Sequence, residues 1–347
     1  MKRILIPCLT ILVAVACSRD LSLPRGKASA QMDKAFSEYL QAVQDADMGI
    51  HSIMVLQHGK VLEEKWMGEG HPDSAHVMFS VSKTFTSTAV GFAIEEGLLH
   101  LDDKMVDFFP DLVPENASDT LRRVTVRHLL TMNCGHAKEP SRSMRESNDW
   151  IRKFLEWPVA FEPGTCFCYN SVGTYMLSAI VQKVTGQKIV DYLEPRLWKP
   201  LGIEKPLWQE SPEGINCGGW GLFLKTEDMA KMGQCLLDGG RYAGRQVIPA
   251  TWVEQMSSYQ VPSCAAGRNQ VETAALGLDP AQSDWLQGYG YQMWRCRHNA
   301  FRADGAWGQY IIVIPEADAV VVTTAHAQDM QQEINQIWTH LLPALQQ

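Results

Sequence analysis

The sequence predicts an α+β fold, in which one antiparallel sheet takes its strands from both chain ends and helices fill the middle. Three observations predict it. Residues 49–56 and Lys60–Trp66 read as two strands joined by Gln57-His58-Gly59, a hairpin signal. Strand-like apolar runs return near the C-terminus at 288–294, 310–314 and Ala319–Ala325. Between the two sets, apolar residues recur at helical spacing. The simplest closure pairs the N-terminal hairpin with the C-terminal strands.

The composition allows that size of fold. The 347 residues are 46% hydrophobic and 20% charged, an ordinary globular balance. This is room for one large domain or two interleaved ones. A formal net charge of −8 without a long basic run argues against nucleic acid as a partner.

The chain opens in a different regime. Met1-Lys2-Arg3 is a short cationic head, and residues 4–16 form an apolar stretch. That is shorter than the roughly 20 residues that span a bilayer, and it fits a secretory leader. It ends Ala14-Val15-Ala16-Cys17, small residues before a cysteine, which resembles a bacterial lipobox. Residues 1–17 are therefore expected to be a lipoprotein-type signal peptide, with Cys17 lipidated and 18–30 a tether. An ordinary signal peptide cut nearby is the alternative. Either way the protein is expected to be exported to the periplasm. With Cys17 lipidated it is anchored to a membrane, and Ser18 points to the outer one.

The next elements follow in order. Residues 31–46 carry helical periodicity through Met32, Phe36, Tyr39 and Val43. After the hairpin, 79–97 reads as a strong helix with Phe85, Ala89, Phe92 and Ala93 on one face and Gly97 as its stop. Further helices are expected at 124–133, 148–156, Ser171–Thr185 and 226–238, and 332–346 is a closing amphipathic helix. Residues 31–100 with 285–347 then form an α/β unit, and 101–284 a mainly helical one. Loops around 138–150 and 260–287 are expected to shape the pocket, and residues 263–283 within the second, poor in large apolar side chains, read as a mobile surface insert.

Nine cysteines include two in the leader. Cys264 and Cys296 flank the polar insert and are the expected disulfide. No Cys-x-x-Cys or His-Glu-x-x-His spacing supports a zinc site, and no metal or cofactor is expected.

Three segments carry chemistry. In Phe79-Ser80-Val81-Ser82-Lys83, a helix puts Ser80 and Lys83 on one face, within about 5–6 Å. The helix dipole and burial both disfavour the ammonium, so a neutral lysine can take the serine proton. Alone, the tetrapeptide also fits a capped helix start with a surface lysine. In residues 161–173, a Pro-Gly turn leads through Phe-Cys-Tyr into a helix, which puts Tyr169 where side chains project into clefts. Near an ammonium its phenolate is favoured, and the phenol can serve as general base; a core tyrosine is the alternative. In Ala303-Asp304-Gly305-Ala306-Trp307-Gly308, small residues let the backbone approach a ligand, and an edge-strand amide can face an oxyanion. A tight turn is the plain alternative.

Together these segments resemble the serine β-lactamase and penicillin-binding-protein-like hydrolases, and within them the esterase and 6-aminohexanoate-dimer-hydrolase branch near class C β-lactamases. Val126-Arg-His-Leu-Leu-Thr-Met-Asn-Cys-Gly135, Gly218-Gly-Trp-Gly-Leu, Asp228-Met-Ala-Lys-Met-Gly233 and Gly308-Gln-Tyr-Ile-Ile-Val-Ile-Pro315 match in the same order. The resemblance covers roughly residues 45 to 330. It implies a β-lactamase/DD-peptidase-like α/β-α sandwich with an inserted helical domain. It also implies Ser80 as acylated nucleophile, Lys83 as its partner and Tyr169 as general base. Ser171 stands where the family's Tyr-x-Asn motif has asparagine. The backbone amides of Ser80 and Ala306 would form the oxyanion hole.

The third motif departs from the pattern. Where the family has Lys-Thr-Gly or His-x-Gly, this chain has Ala303-Asp304-Gly305. An alanine cannot recognise a substrate carboxylate, and Asp304 repels one; Arg302 and Arg295 are the candidate replacements. The expected reaction is therefore hydrolysis of a small-molecule ester or amide. β-Lactamase or D-alanyl-D-alanine carboxypeptidase-type activity is one alternative, and a non-catalytic lipoprotein binding cell-envelope ligands is another. Trp307, Trp220, Gly305 and Ser171 are the expected substrate contacts, with Trp294 a further pocket candidate and Trp66 better read as core. His298 and Asp304 are candidate substrate contacts, and His128 is read as structural.

Overall fold

A computed structural model describes residues 21–265 and 268–347, apart from the Arg142 side chain. The leader at 1–17 with Cys17, and the tether up to residue 20, lie outside the described residues.

The fold is a three-layer arrangement about one six-stranded antiparallel sheet. In chain order its main elements are α1 (Ala30–Asp45), β1 (Ile50–Gln57), β2 (Lys60–Trp66), α2 (Ser82–Glu95), α3 (Ser171–Thr185), α4 (Thr226–Leu237), β3 (Trp294–Arg295), β4 (Phe301–Gly305), β5 (Gln309–Ile314), β6 (Ala319–Ala325) and α5 (Met330–Gln336). The strand order is β2-β1-β6-β5-β4-β3, so the N-terminal hairpin does pair with the C-terminal strands. His58 at φ +51 and Gly59 at φ +71 make the two-residue turn between β1 and β2, the left-handed pair such hairpins need.

The sheet is apolar on both faces, because each is covered. Along β5, Ile311 and Val313 enter the core shared with α2, α3 and α4, while Tyr310, Ile312 and Ile314 enter the core shared with α1 and α5. Strand periodicity assigns alternate residues to opposite faces. Gly233 lets α4 lie close, since a Cβ there would sit 2.5 Å from Val320 Cγ1. Thus α4 packs on the sheet, although the sequence division groups it with the helical unit.

Several elements differ from expectation. Residues 79–97 do not form one α-helix: Phe79–Val81 is a tighter 3-10 turn, and α2 begins at Ser82. The strand expected at 288–294 is only Trp294–Arg295, because Gly288 at φ +104 and Gln292 at φ +65 turn the chain before it. Strand β4 is unforeseen. Its Arg302 and Asp304 look like loop residues, but they share one face and pair with each other, while Phe301 and Ala303 face the core. The expected Cys264–Cys296 disulfide is absent: both thiols are free and buried, and they belong to different apolar clusters. The stretch 263–283 is tied to the body, with Cys264, Asn269 and Thr273 buried and Asn269 bridged to Cys168. Among the described residues, no helix is long and apolar enough to cross a membrane.

Candidate active site

The site begins with how Ser80 is presented. Phe79 sits at φ +45, a left-handed conformation that side chains disfavour, and so turns the chain sharply just before Ser80. The turn is pinned from behind. Ser82 Oγ donates to the Phe79 carbonyl at 2.6 Å and accepts from Leu222 N–H at 3.2 Å. Three residues on, Lys83 is buried at 1% exposure in the first turn of α2. Its Nζ donates to Ser80 Oγ at 2.7 Å, to the Gly219 carbonyl at 2.8 Å and to Ser171 Oγ at 3.1 Å.

Burial lowers the Lys83 pKa to about 7, against the pull of Glu139 and Asp304. Glu139 comes from the segment before α3, where its Oε1 accepts from Ser171 N–H at 2.9 Å. It is a charge near the nucleophile that sequence reasoning missed.

Tyr169 precedes the Asn170 cap of α3. The Asn170 side chain accepts from Gly173 N–H at 3.0 Å and contacts His136 Nδ1 at 2.9 Å. Burial lowers the His136 pKa to about 4, so a neutral imidazole holds this corner. The Tyr169 ring stacks on Trp294 with centroids 5.4 Å apart and lies 4.8 Å from Lys83 Nζ. Ser80 and Tyr169 line the same cleft, and the serine's interaction with the phenol favours the phenolate. Burial raises the phenol's pKa, outweighing that interaction. The phenolate expected beside an ammonium is thus disfavoured, because the phenol itself is buried.

The third side is β4. Gly305 runs against the nucleophile turn, and a Cβ there would sit 2.4 Å from the Met78 carbonyl oxygen. Gly305 is thus a spacer rather than a cleft-lining contact. Ser80, Tyr169, Asp304, Ala306 and Trp294 line one cleft of about 750 Å³. Its wall also includes Trp285, Glu139, Glu272, Lys138 and Arg268, none of them singled out by sequence. Residues 268 and 272 belong to the stretch expected to be a mobile insert.

Other expected contacts lie elsewhere. Trp307 stacks on His326 at 4.6 Å and is not among the cleft-lining residues. Trp220 packs near Trp150 at 5.7 Å; what its stretch gives the site is the Gly219 carbonyl. A Cβ at Gly219 would meet the Ser171 carbonyl oxygen at 2.4 Å, which explains the glycine. Ser171 contacts Lys83 and lies outside the cleft wall. His298 is exposed and packs edge-on to Trp338. His128 helps cap its own helix, with Nδ1 accepting from Thr125 N–H at 3.1 Å. Trp66 packs against the core.

Neither candidate arginine is free to meet a carboxylate. Arg302 is 0% exposed, ion-paired with Asp304 at 2.8 Å, and lies over Trp285. Arg295 donates to the Ser257 carbonyl and to Asn299. Among the described residues, no three His, Cys, Asp or Glu side chains are placed to hold a metal ion.

Known proteins resemble this chain in sequence and in fold. The family model described as Beta-lactamase matches residues 33–345. The 6-aminohexanoate-dimer hydrolase of Paenarthrobacter ureafaciens is 25% identical over 289 residues, covering 78% of this chain and 71% of that protein. Penicillin-binding protein 4 of Amycolatopsis lactamdurans is 26% identical, covering 76% of each. The crystal structure of a penicillin-binding protein homologue from Caulobacter crescentus superposes with a TM-score of 0.71 at 15% identity, over 92% of this chain and 99% of that one.

Proposed function

The chain belongs to the beta-lactamase family, a family of serine hydrolases, and from that premise we propose that it cleaves a small-molecule ester or amide through an acyl-enzyme on Ser80. One observation carries the reading: Lys83 Nζ, with a pKa near 7, lies 2.7 Å from Ser80 Oγ at the cleft wall. A lysine neutral at working pH is a competent base for an adjacent hydroxyl.

In the proposed reaction, the Ser80 proton passes to Lys83 as Oγ attacks the substrate carbonyl. The Ser80 and Ala306 amides receive the oxyanion, each donor being worth roughly 3–4 kcal/mol. Collapse expels the alcohol or amine, which takes up the proton by way of the Tyr169 hydroxyl. Tyr169 thus acts as a neutral relay, and Lys83 as the base. Water then attacks the ester at Ser80 and gives its proton to Lys83; as the acyl C–O bond breaks, that proton returns to Ser80 Oγ and the acid leaves.

The Arg302–Asp304 pairing supports substrates whose recognition needs no carboxylate at the third motif. The 6-aminohexanoate-dimer hydrolase relative supports an amide as well as an ester. Cys17 as a lipid anchor stays part of the proposal, and metabolic palmitate labelling lost in Cys17→Ala tests it. The hydrolase itself is tested with a fluorophosphonate probe, which should label the wild type and not Ser80→Ala. Equal labelling of both refutes the assignment.

A further inference from the structure

The turn carrying the Ala306 amide is built from behind by a buried side chain that the reaction does not touch. Gly308 N–H donates to the Gly305 carbonyl at 3.2 Å, closing the turn between β4 and β5. In a trans peptide the carbonyl and the following N–H point in opposite directions. Tying the Gly305 carbonyl into the turn therefore directs the Ala306 N–H out of it, and Ala306 lines the same cleft as Ser80.

The turn is not relaxed. Trp307 within it is a non-glycine residue at φ +67. Such a conformation is disfavoured for a side-chain-bearing residue and persists only where surrounding contacts impose it. Those contacts come from β6 and its end and from the first residue of β5. The Trp307 carbonyl accepts from Ala327 N–H at 2.9 Å, and the Gly308 carbonyl accepts from the Thr323 hydroxyl at 3.0 Å. The most connected contact is Gln309, wholly buried at the start of β5. Its Nε2 donates to the Ala306 carbonyl at 2.8 Å and the Ala325 carbonyl at 2.9 Å, and its Oε1 accepts from Ala325 N–H at 3.0 Å. Both amide hydrogens and the oxygen are thus used to fasten the Ala306 backbone to the sheet.

We infer that Gln309 is a positioning residue for the oxyanion hole, holding the Ala306 peptide so that its N–H faces the cleft. The inference rests on the Ser80 acyl-enzyme reading. Gln309 meets no substrate; it acts through Ala306. A near-isosteric Gln309→Met keeps the packing and removes all three hydrogen bonds.

The experiment compares wild type, Gln309→Met and Gln309→Glu with p-nitrophenyl butyrate, per active site counted by fluorophosphonate labelling to completion. It also measures inhibition by a phenylboronic acid, whose serine adduct is tetrahedral and anionic. For Gln309→Met, kcat should fall about tenfold or more with KM within about twofold, and boronate affinity should fall in parallel. Gln309→Glu should retain more of kcat, because a buried carboxyl stays protonated and keeps one donor and the acceptor. It also serves as the test variant if the methionine variant does not fold. A merely structural role lowers the number of sites and the melting temperature but not kcat per site. Turnover per site within twofold of wild type, or a fall in kcat with boronate affinity unchanged, overturns the inference. A wild type that takes no label at Ser80 overturns the hydrolase reading itself.

Discussion

Lys83 Nζ lies 2.7 Å from Ser80 Oγ and has no carboxylate among its hydrogen-bond partners, which are two hydroxyls and the Gly219 carbonyl. An ammonium held only by neutral groups in a buried site loses its proton readily, and a direct consequence is pH dependence. The active form is the neutral amine, so kcat/KM should rise with pH along a limb centred near 7, the Lys83 pKa. Lys83→Met should lower kcat/KM by about 100- to 10,000-fold. A limb unchanged in that variant would assign the titration to another group.

The same shift has a stability consequence of definite sign. The Lys83 pKa is lowered from 10.5 to about 7 on folding, so between those values the unfolded chain binds the extra proton. Wild-type stability should therefore gain on that of Lys83→Met as pH rises from 7 towards 10. Denaturant titrations of both proteins across that range measure the difference. A difference independent of pH contradicts the buried-amine account.

Glu139 acts on Lys83 through charge, raising its pKa against the burial that lowers it. Glu139→Gln should move the limb of the pH–rate profile to lower pH. A shift to higher pH would mean that Glu139 does not act on Lys83 as a negative charge.

Arg302 and Asp304 form a buried pair at the cleft wall, Asp304 lining it. Asp304→Leu alone leaves a guanidinium without its charge partner and should cost about 3–5 kcal/mol of stability. Arg302→Met in addition should restore most of it. Thermal unfolding of the single and double variants decides, and additive losses would show the two residues to be uncoupled.

How much of this could be read from sequence depends on what kind of signal each part leaves. Hairpin and central helices are legible because turn chemistry and apolar spacing are local. Ser171–Thr185 has the expected bounds because Asn170 caps one end and Gly186, at φ +70, stops the other. Strand β4 does alternate, Phe301 and Ala303 against Arg302 and Asp304, but over only four residues before a glycine turn, too short a run to stand out. The trio of Ser80, Lys83 and Tyr169 was legible as motifs in order. Its cleft walls were legible only as the loops around 138–150 and 260–287, not as individual residues. Glu139, Glu272, Arg268 and Trp285 meet there through long-range folding of segments that carry no motif. Trp307 shows the opposite error: a large side chain inside a recognised motif reads as a ligand contact, but its ring stacks on His326 and braces the turn.

The central claim is that substrate becomes covalently attached to Ser80. Mixing the protein with p-nitrophenyl butyrate, quenching in acid during turnover and mapping peptides by mass spectrometry tests it most directly. A butyryl group on the peptide containing Ser80, at Oγ and missing from Ser80→Ala, is the predicted result. Turnover that survives in Ser80→Ala, or an adduct on any other residue, would contradict it.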